Sequence, residues 1–227
     1  MKRLVEPEWL DELPPDDPHA IRSRRDLRRV NSWMRHPSLL VGALQNGLNG
    51  LAPVKIIELG AGDGNFLLAV AQKIAPRWPA VNVTLLDLKK NVSAETLAAL
   101  AALGWRAEVL VADVFNWPPT ECDVVIANLF LHHFADARLA ELLRLISERA
   151  KLFIALEPRR APWPLFCSRL LGAIGCNDVT RHDAVVSVRA GFTGHELSSL
   201  WPDKDHWQLT EQSAGAFSHL FIARKTN

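Results

Sequence analysis

The chain has no tyrosine, only two methionines and three cysteines, and no excess of charge of either sign. Without tyrosine, no phenolic side chain can serve as a base or hydrogen-bond donor in whatever site the protein carries. Cys122, Cys167 and Cys176 are too few and too widely spaced for a disulfide framework or a zinc knot, which fits a reducing cytoplasm. Lys and Arg number 26 against 25 Asp and Glu, so a net charge of +1 gives no global field to draw nucleic acid or an anionic membrane. Long apolar runs are missing too. The longest uncharged stretch, 36–54, carries Gln45, Asn46, Asn49, three glycines and Pro53, poor material for a membrane span. The opening MKRLVEPEWLDELPPDDP has acids and prolines where a secretory leader has an apolar core, so a cytoplasmic protein is expected. What is present is an ordinary globular mixture, 48% hydrophobic and 22% charged over 227 residues, which excludes disorder, collagen and coiled coil.

Two textures divide the chain. In residues 1–52, Ile21, Leu27, Val30 and Met34 recur near helical spacing, with Arg22, Arg24, Arg25, Arg28 and Arg29 between them. This predicts an amphipathic helix and an N-terminal helical cap, or lid, over a domain formed by residues 53–227. The arginines read as a solvated face partly neutralised by Asp16, Asp17 and Asp26, with a clamp for a substrate anion as the alternative. From Pro53 onward, the apolar runs VKIIEL, VNVTLLDL, AEVLVADV, CDVVIANL and KLFIALE alternate with helical patterns. Strand and helix in strict succession imply βαβ units and a parallel, doubly wound α/β sheet. WQLTEQSAG and AFSHLFIARK then follow each other across a short turn, so an antiparallel hairpin closes a seven-stranded sheet.

The first strand runs into Glu58-Leu59-Gly60-Ala61-Gly62-Asp63-Gly64 and straight on into a helix. Glycines there allow a tight turn and the close approach of a nucleotide-like ligand. The spacing is GxGxG, with Asn65 where the dinucleotide fingerprint needs a third glycine, and the Gly-Lys-Ser/Thr ending of a P-loop is absent. On these residues the chain resembles the class I S-adenosylmethionine-dependent methyltransferases over roughly residues 54–224, and among them the UbiE-like small-molecule branch. The resemblance implies a Rossmann-like fold and S-adenosyl-L-methionine as cofactor. It implies that Glu58, Gly60, Ala61 and Gly62 form the cofactor loop and that Asp87, followed by Leu88, accepts the ribose hydroxyls. Asp113, followed by Val114, would meet the adenine amino group, and Asn128 with Leu129 would lie beside the methionine part. For either aspartate the alternative is a helix cap or turn residue. Asn128-Leu129-Phe130-Leu131 lacks the two prolines of the amino-methylating signature, so DNA and RNA are not expected as acceptors.

Methyl transfer to a phenol or enolic carbon needs a base near neutrality, and histidine is the default. His182 ranks first because Arg181 and Asp183 flank it; His133 and then His132, at the end of the fourth strand, follow. Glu157, after the fifth strand, is a further candidate, and Thr193-Gly-His-Glu196 reads as a capping box that leaves His195 structural. No metal site is expected, since no acidic pair follows Asn128 and adjacent histidines do not readily share one zinc. The expected reaction is methylation at oxygen or carbon of a small, largely apolar acceptor, phenolic, quinone or polyketide-like. Two rivals remain: an NAD(P)-dependent oxidoreductase with Lys89 and Lys90 near a 2′-phosphate, and a non-catalytic methyltransferase-like binding protein.

Overall fold

The computed structural model describes residues 1–14, 16–118 and 120–226, with Asn31 and Ser32 described by backbone only. Three helices come first: α1 (Trp9–Glu12), α2 (Pro18–Met34) and α3 (His36–Gly47). Then follow β1 (Lys55–Leu59), α4 (Asn65–Ile74), β2 (Val81–Asp87), α5 (Ala94–Ala102), β3 (Trp105–Val111) and β4 (Cys122–Asn128). The second half holds α6 (Asp136–Arg149), β5 (Ala150–Pro158), α7 (Pro162–Arg169), α8 (Asp178–Ala190) and α9 (Glu196–Leu200), ending in β6 (Trp207–Ala214) and β7 (Ser218–Lys225). The sheet has seven strands in the order β3-β2-β1-β4-β5-β7-β6, with β7 antiparallel to both neighbours. The order reverses at β1, so β1 and β4 diverge at their carboxyl ends to leave the crevice in which such folds bind ligands.

Val, Ile and Leu fill β1, β4 and β5 because both of their faces are covered. On one face Leu40, Leu44, Leu67 and Val70 pack with Trp78; on the other, Leu142 and Ile146 pack with Phe153, Trp201 and Phe221. The run AEVLVADV, which reads as an apolar strand like the others, is not covered on both faces as β3. It is an edge strand, and Arg106, Glu108 and Val111 are exposed along it. The capping box expected at Thr193–Glu196 is not formed: Thr193 N–H donates to Glu196 Oε2 at 3.0 Å, but the N-cap of α9 is His195, with no side-chain cap hydrogen bond.

The expected boundary at residue 52 does not follow the packing. Leu40, Ala43 and Leu44 of α3 are part of the sheet's own core, so α3 belongs to the main domain rather than to a lid. Arg35, in the left-handed region at φ 55°, separates α3 from α2. Nor is the buried face of α2 the one expected. Ile21 is 47% exposed, whereas Ala20, Ser23 and Asp26 are buried. That stripe packs on α8: Thr180 Oγ1 donates to Ser23 Oγ at 2.9 Å and Asn177 N–H donates to Asp26 Oδ2 at 2.9 Å. Two buried hydrogen bonds thus fix a helix whose apolar residues Leu27, Val30 and Met34 are left to face a cavity. In urea unfolding, Leu44→Ala should lose about 2–5 kcal/mol, while Ile21→Ala should change stability by less than about 0.5 kcal/mol.

Candidate active site

Gly60, Gly62 and Gly64 all take positive φ, but they serve different neighbours. A Cβ on Gly60 would stand 2.2 Å from the Phe130 ring, so the loop and the segment after β4 close together there. A Cβ on Gly62, at φ 55°, would meet nothing within 4 Å and would project into open space. That space is the cradle a ligand needs. Asp87, at the end of β2, holds the loop: its Oδ2 accepts Gly62 N–H at 2.9 Å and its Oδ1 accepts Lys89 N–H at 2.9 Å. Each oxygen keeps a second lone pair, enough for two vicinal hydroxyls. Glu58 is buried at the end of β1 and its Oε2 has no partner among the described residues. Burial, with Asp63 and Asp87 adding like charge, raises its pKa well above the carboxylate range. An orphaned buried carboxyl beside an open glycine cradle fits a ligand that brings a positive charge, as the ammonium and sulfonium of S-adenosylmethionine do.

At the end of β4 the chain turns sharply. Leu129 sits in the left-handed region at φ 52°, and the next residues form a single turn, Leu131–His133. Glu157, from the end of the neighbouring β5, captures that turn: Oε1 accepts the N–H groups of Phe130 at 3.0 Å and Leu131 at 2.8 Å, and Oε2 accepts His132 Nδ1–H at 2.8 Å. His132 Nε2 faces Glu8 Oε1 at 3.3 Å, and Ser187 donates to the same oxygen. Burial opposes a charge on this ring, but the two carboxylates push its pKa up to about 9. Burial likewise opposes charge on Glu8, and the hydrogen bond to and charge of His132 hold it down at about 2. His132 is therefore an imidazolium with both N–H groups engaged, and it cannot accept a proton at neutral pH. His133 is the opposite case. Burial and the adjacent His132 charge lower its pKa, keeping it a neutral base.

These groups share one cavity of about 560 Å³. Of the expected residues, Glu58, Gly60, Ala61, Gly62, Asn128 and Leu129 line it, together with His132 and His133. Asp87, Leu88, Asp113 and Val114 lie outside this lining: Asp87 braces Gly62, Asp113 accepts Phe115 N–H at 2.9 Å in a turn, Val114 is buried and Leu88 is exposed. His182 is also outside. It lies within α8 rather than in a loop, on the flank opposite Ala184, Ser187 and Val188, which face the cavity. Its ring stacks on Trp9 at 3.8 Å, Asp183 accepts the N–H groups of Trp9 and Leu10, and Arg181 pairs with Asp178. Of the trio first expected to act on an acceptor, His182 and Asp183 instead fasten the N-terminal segment and Arg181 pairs within its own helix, because one helical turn points adjacent side chains apart.

Two residues the sequence reading missed complete the site. Glu8 is 124 residues from its histidine, and no local pattern marks it. His36 is buried between Asn128 Oδ1 and Ser218 Oγ, each at 2.6 Å from a ring nitrogen. Burial lowers its pKa, so a neutral ring donates from Nδ1 to Asn128 and accepts the Ser218 hydroxyl at Nε2. The Asn128 amide is thereby fixed, its N–H groups directed away from His36. Glu8, His132 and His133 lie within metal-ligating distance of one another. The two imidazoles, however, are inclined by only 31° with centroids 4.3 Å apart, so their in-plane lone pairs do not converge on one ion.

Fold and glycine loop are similar to those of class I, S-adenosylmethionine-dependent methyltransferases. Residues 56–151 match the methyltransferase-domain family. An uncharacterized methyltransferase of Mycobacterium tuberculosis is 27% identical over 170 residues, covering 69% of this chain and 80% of the relative. A trans-aconitate 2-methyltransferase of Streptomyces avermitilis is 34% identical over 82 residues, covering 35% of this chain but only 29% of that protein. An O-methyltransferase of Phomopsis amygdali is matched over only 21% of its length. Among solved structures, the plantazolicin methyltransferase BpumL in complex with SAH superposes with a TM-score of 0.67 at 15% identity, covering 93% of this chain and 92% of that one. A putative O-methyltransferase from Nostoc punctiforme gives 0.63 at 17% identity, over 99% of this chain and 64% of that one.

The ion pair has a pH signature. His132 titrates near 6.5 when exposed and about 9 when folded, so its contribution is full below the first value and lost as pH rises through the second. Thermal unfolding should therefore show stability falling from neutrality to about pH 9 in the native protein, with this limb absent in His132→Gln.

Proposed function

We propose that this protein transfers a methyl group from S-adenosylmethionine to a hydroxyl oxygen, or an enolic carbon, of a small and largely apolar acceptor. The observation that carries this reading is the single cavity in which the Gly62 cradle and Glu58 adjoin an apolar wall built by Leu27, Val30, Met34, Leu171, Val188 and Phe217. His133 lines the same cavity and is the neutral base. Among the described residues no Lys or Arg lines that cavity, whereas Glu8 and Asp63 do. A carboxylate acceptor, of the kind named for the trans-aconitate relatives, would find like charge and no guanidinium to hold it. A neutral phenol or enol suits the site.

Bound S-adenosylmethionine would supply an already activated sulfonium methyl, so the protein's task is alignment, desolvation and removal of one proton. Glu58 meets the cofactor's positive end, Asp87 accepts from its ribose and keeps Gly62 in place, and Asn128, fixed by His36, orients the methionine side. Asp113 is assigned to the adenine end. His133 takes the acceptor's proton. His132 anchors the turn that carries His133, and its positive charge keeps that neighbour neutral. α2 forms the lid that keeps water from the transfer.

Calorimetry should show binding of S-adenosylmethionine and S-adenosylhomocysteine and none of NADPH, whose binding would instead favour the oxidoreductase reading. Asp87→Ala should weaken cofactor affinity by about 1–3 kcal/mol, about fivefold to 150-fold, and Gly62→Val should weaken it more. Equal affinity in folded variants refutes the cofactor assignment. In a transfer assay over phenols and their carboxylate analogues, the rate should rise with pH through one titration below 6.5, the ordinary histidine value. His133→Ala should remove that limb and most of the rate, and His182→Ala should leave the pH profile unchanged.

A further inference from the structure

We propose that the mouth of the cavity docks on an anionic lipid surface. Trp33, Leu170 and Ile174 line the cavity and are nevertheless 60%, 50% and 40% exposed. On α7, Trp163 and Phe166 extend the patch outward, their rings stacked at 5.9 Å and both more than half exposed. Positions 163, 166, 170 and 174 recur every three or four residues through α7 and the turn Leu171–Ile174, which gathers them on one side. A soluble surface scatters large apolar groups singly; a continuous aromatic and aliphatic patch at a cavity mouth requires a partner.

The charges near the patch say which partner. α2 brings Arg22, whose guanidinium donates to the Gly175 carbonyl at 3.2 Å beside Ile174, and Arg29, which pairs with the buried Asp26 at 3.7 Å and keeps its side chain half exposed. Arg169, next to Leu170 in the chain, lines a separate groove of about 570 Å³ with Arg181, Arg189 and the stacked Trp9 and His182. Its acids, Asp178 and Glu6, face Arg181 and Arg189, which leaves the groove's balance positive. The whole chain carries only +1, so this positive charge is local to the patch. Guanidinium groups near exposed tryptophan and phenylalanine match a headgroup layer: the rings enter the acyl boundary while the arginines meet phosphates. No helix among the described residues is long and apolar enough to cross a membrane, so the association is peripheral. If the acceptor reading holds, an apolar acceptor could pass from lipid to His133 without crossing water; the docking itself does not rest on that reading.

The test is flotation of the full chain with vesicles of phosphatidylcholine alone and of phosphatidylcholine mixed with phosphatidylglycerol, at low and high salt. Binding is expected to the anionic vesicles only, to weaken in high salt, and to fall about tenfold or more in Trp163→Ser/Phe166→Ser and in Arg22→Glu/Arg29→Glu. These side chains are exposed, and circular dichroism together with calorimetric affinity for S-adenosylmethionine verifies that each variant is folded. No partition at low salt, equal partition to neutral vesicles, or partition indifferent to both double variants overturns the proposal. So does a dimer by light scattering that Trp163→Ser/Phe166→Ser dissolves while vesicles stay unbound. Loss of cofactor binding in the native chain would instead strike the methyltransferase reading and leave the flotation result standing.

Discussion

Glu157 reaches the ligand edge of the sheet with no exposure to solvent, and its two oxygens receive the N–H groups of Phe130, Leu131 and His132 and the ring of His132. A carboxylate in that position costs several kcal/mol of desolvation unless it is saturated with donors, and here it is. The cost is offset by drawing the chain after β4 back over the end of β5, which the left-handed Leu129 permits. Removing the carboxylate would strand an imidazolium and three backbone donors together, the situation in which one change in a buried pair loses about 3–5 kcal/mol.

From that anchor the rest of the site follows. His132, charged because Glu157 and Glu8 flank it, draws residue 8 of the N-terminal segment onto the main domain. The segment is then fastened along its length: Arg3 donates to the carbonyls of Phe134 and Ala190, and Asp183 accepts two N–H groups of α1. With α1 held, α2 is carried across the cavity and fixed through Ser23 and Asp26. The position of α2 beside the cavity thus depends on polar contacts between the first thirty residues and α8, not on an apolar stripe.

The same electrostatics divides labour between adjacent histidines. Two neighbouring rings in a low-dielectric pocket do not both charge; the one held by carboxylates takes the proton and the other is pushed neutral. Consecutive histidines can therefore hold opposite protonation states.

Parallel order, hairpin and glycine loop were determined by the sequence alone, because they rest on local facts: strands covered on both faces are continuously apolar, and Gly60-Ala61-Gly62-Asp63-Gly64 places its residues by spacing. The place of Asn128 at the end of β4 was legible in the same way, from its apolar run. What only the tertiary structure decided are the pairings across long separations. Glu8 meets His132 across 124 residues and His36 meets Asn128 across 92, and nothing within a turn of either announces the contact. The sequence could not place Thr180-Arg181-His182-Asp183 either, because three chemically suggestive neighbours look alike in a loop and in a helix, and the helix sends His182 and Ser187 to opposite flanks. Nor could it give α3 to the core and Ile21 to the solvent. Periodicity names a face, and only packing against α8 and the sheet says which face is buried.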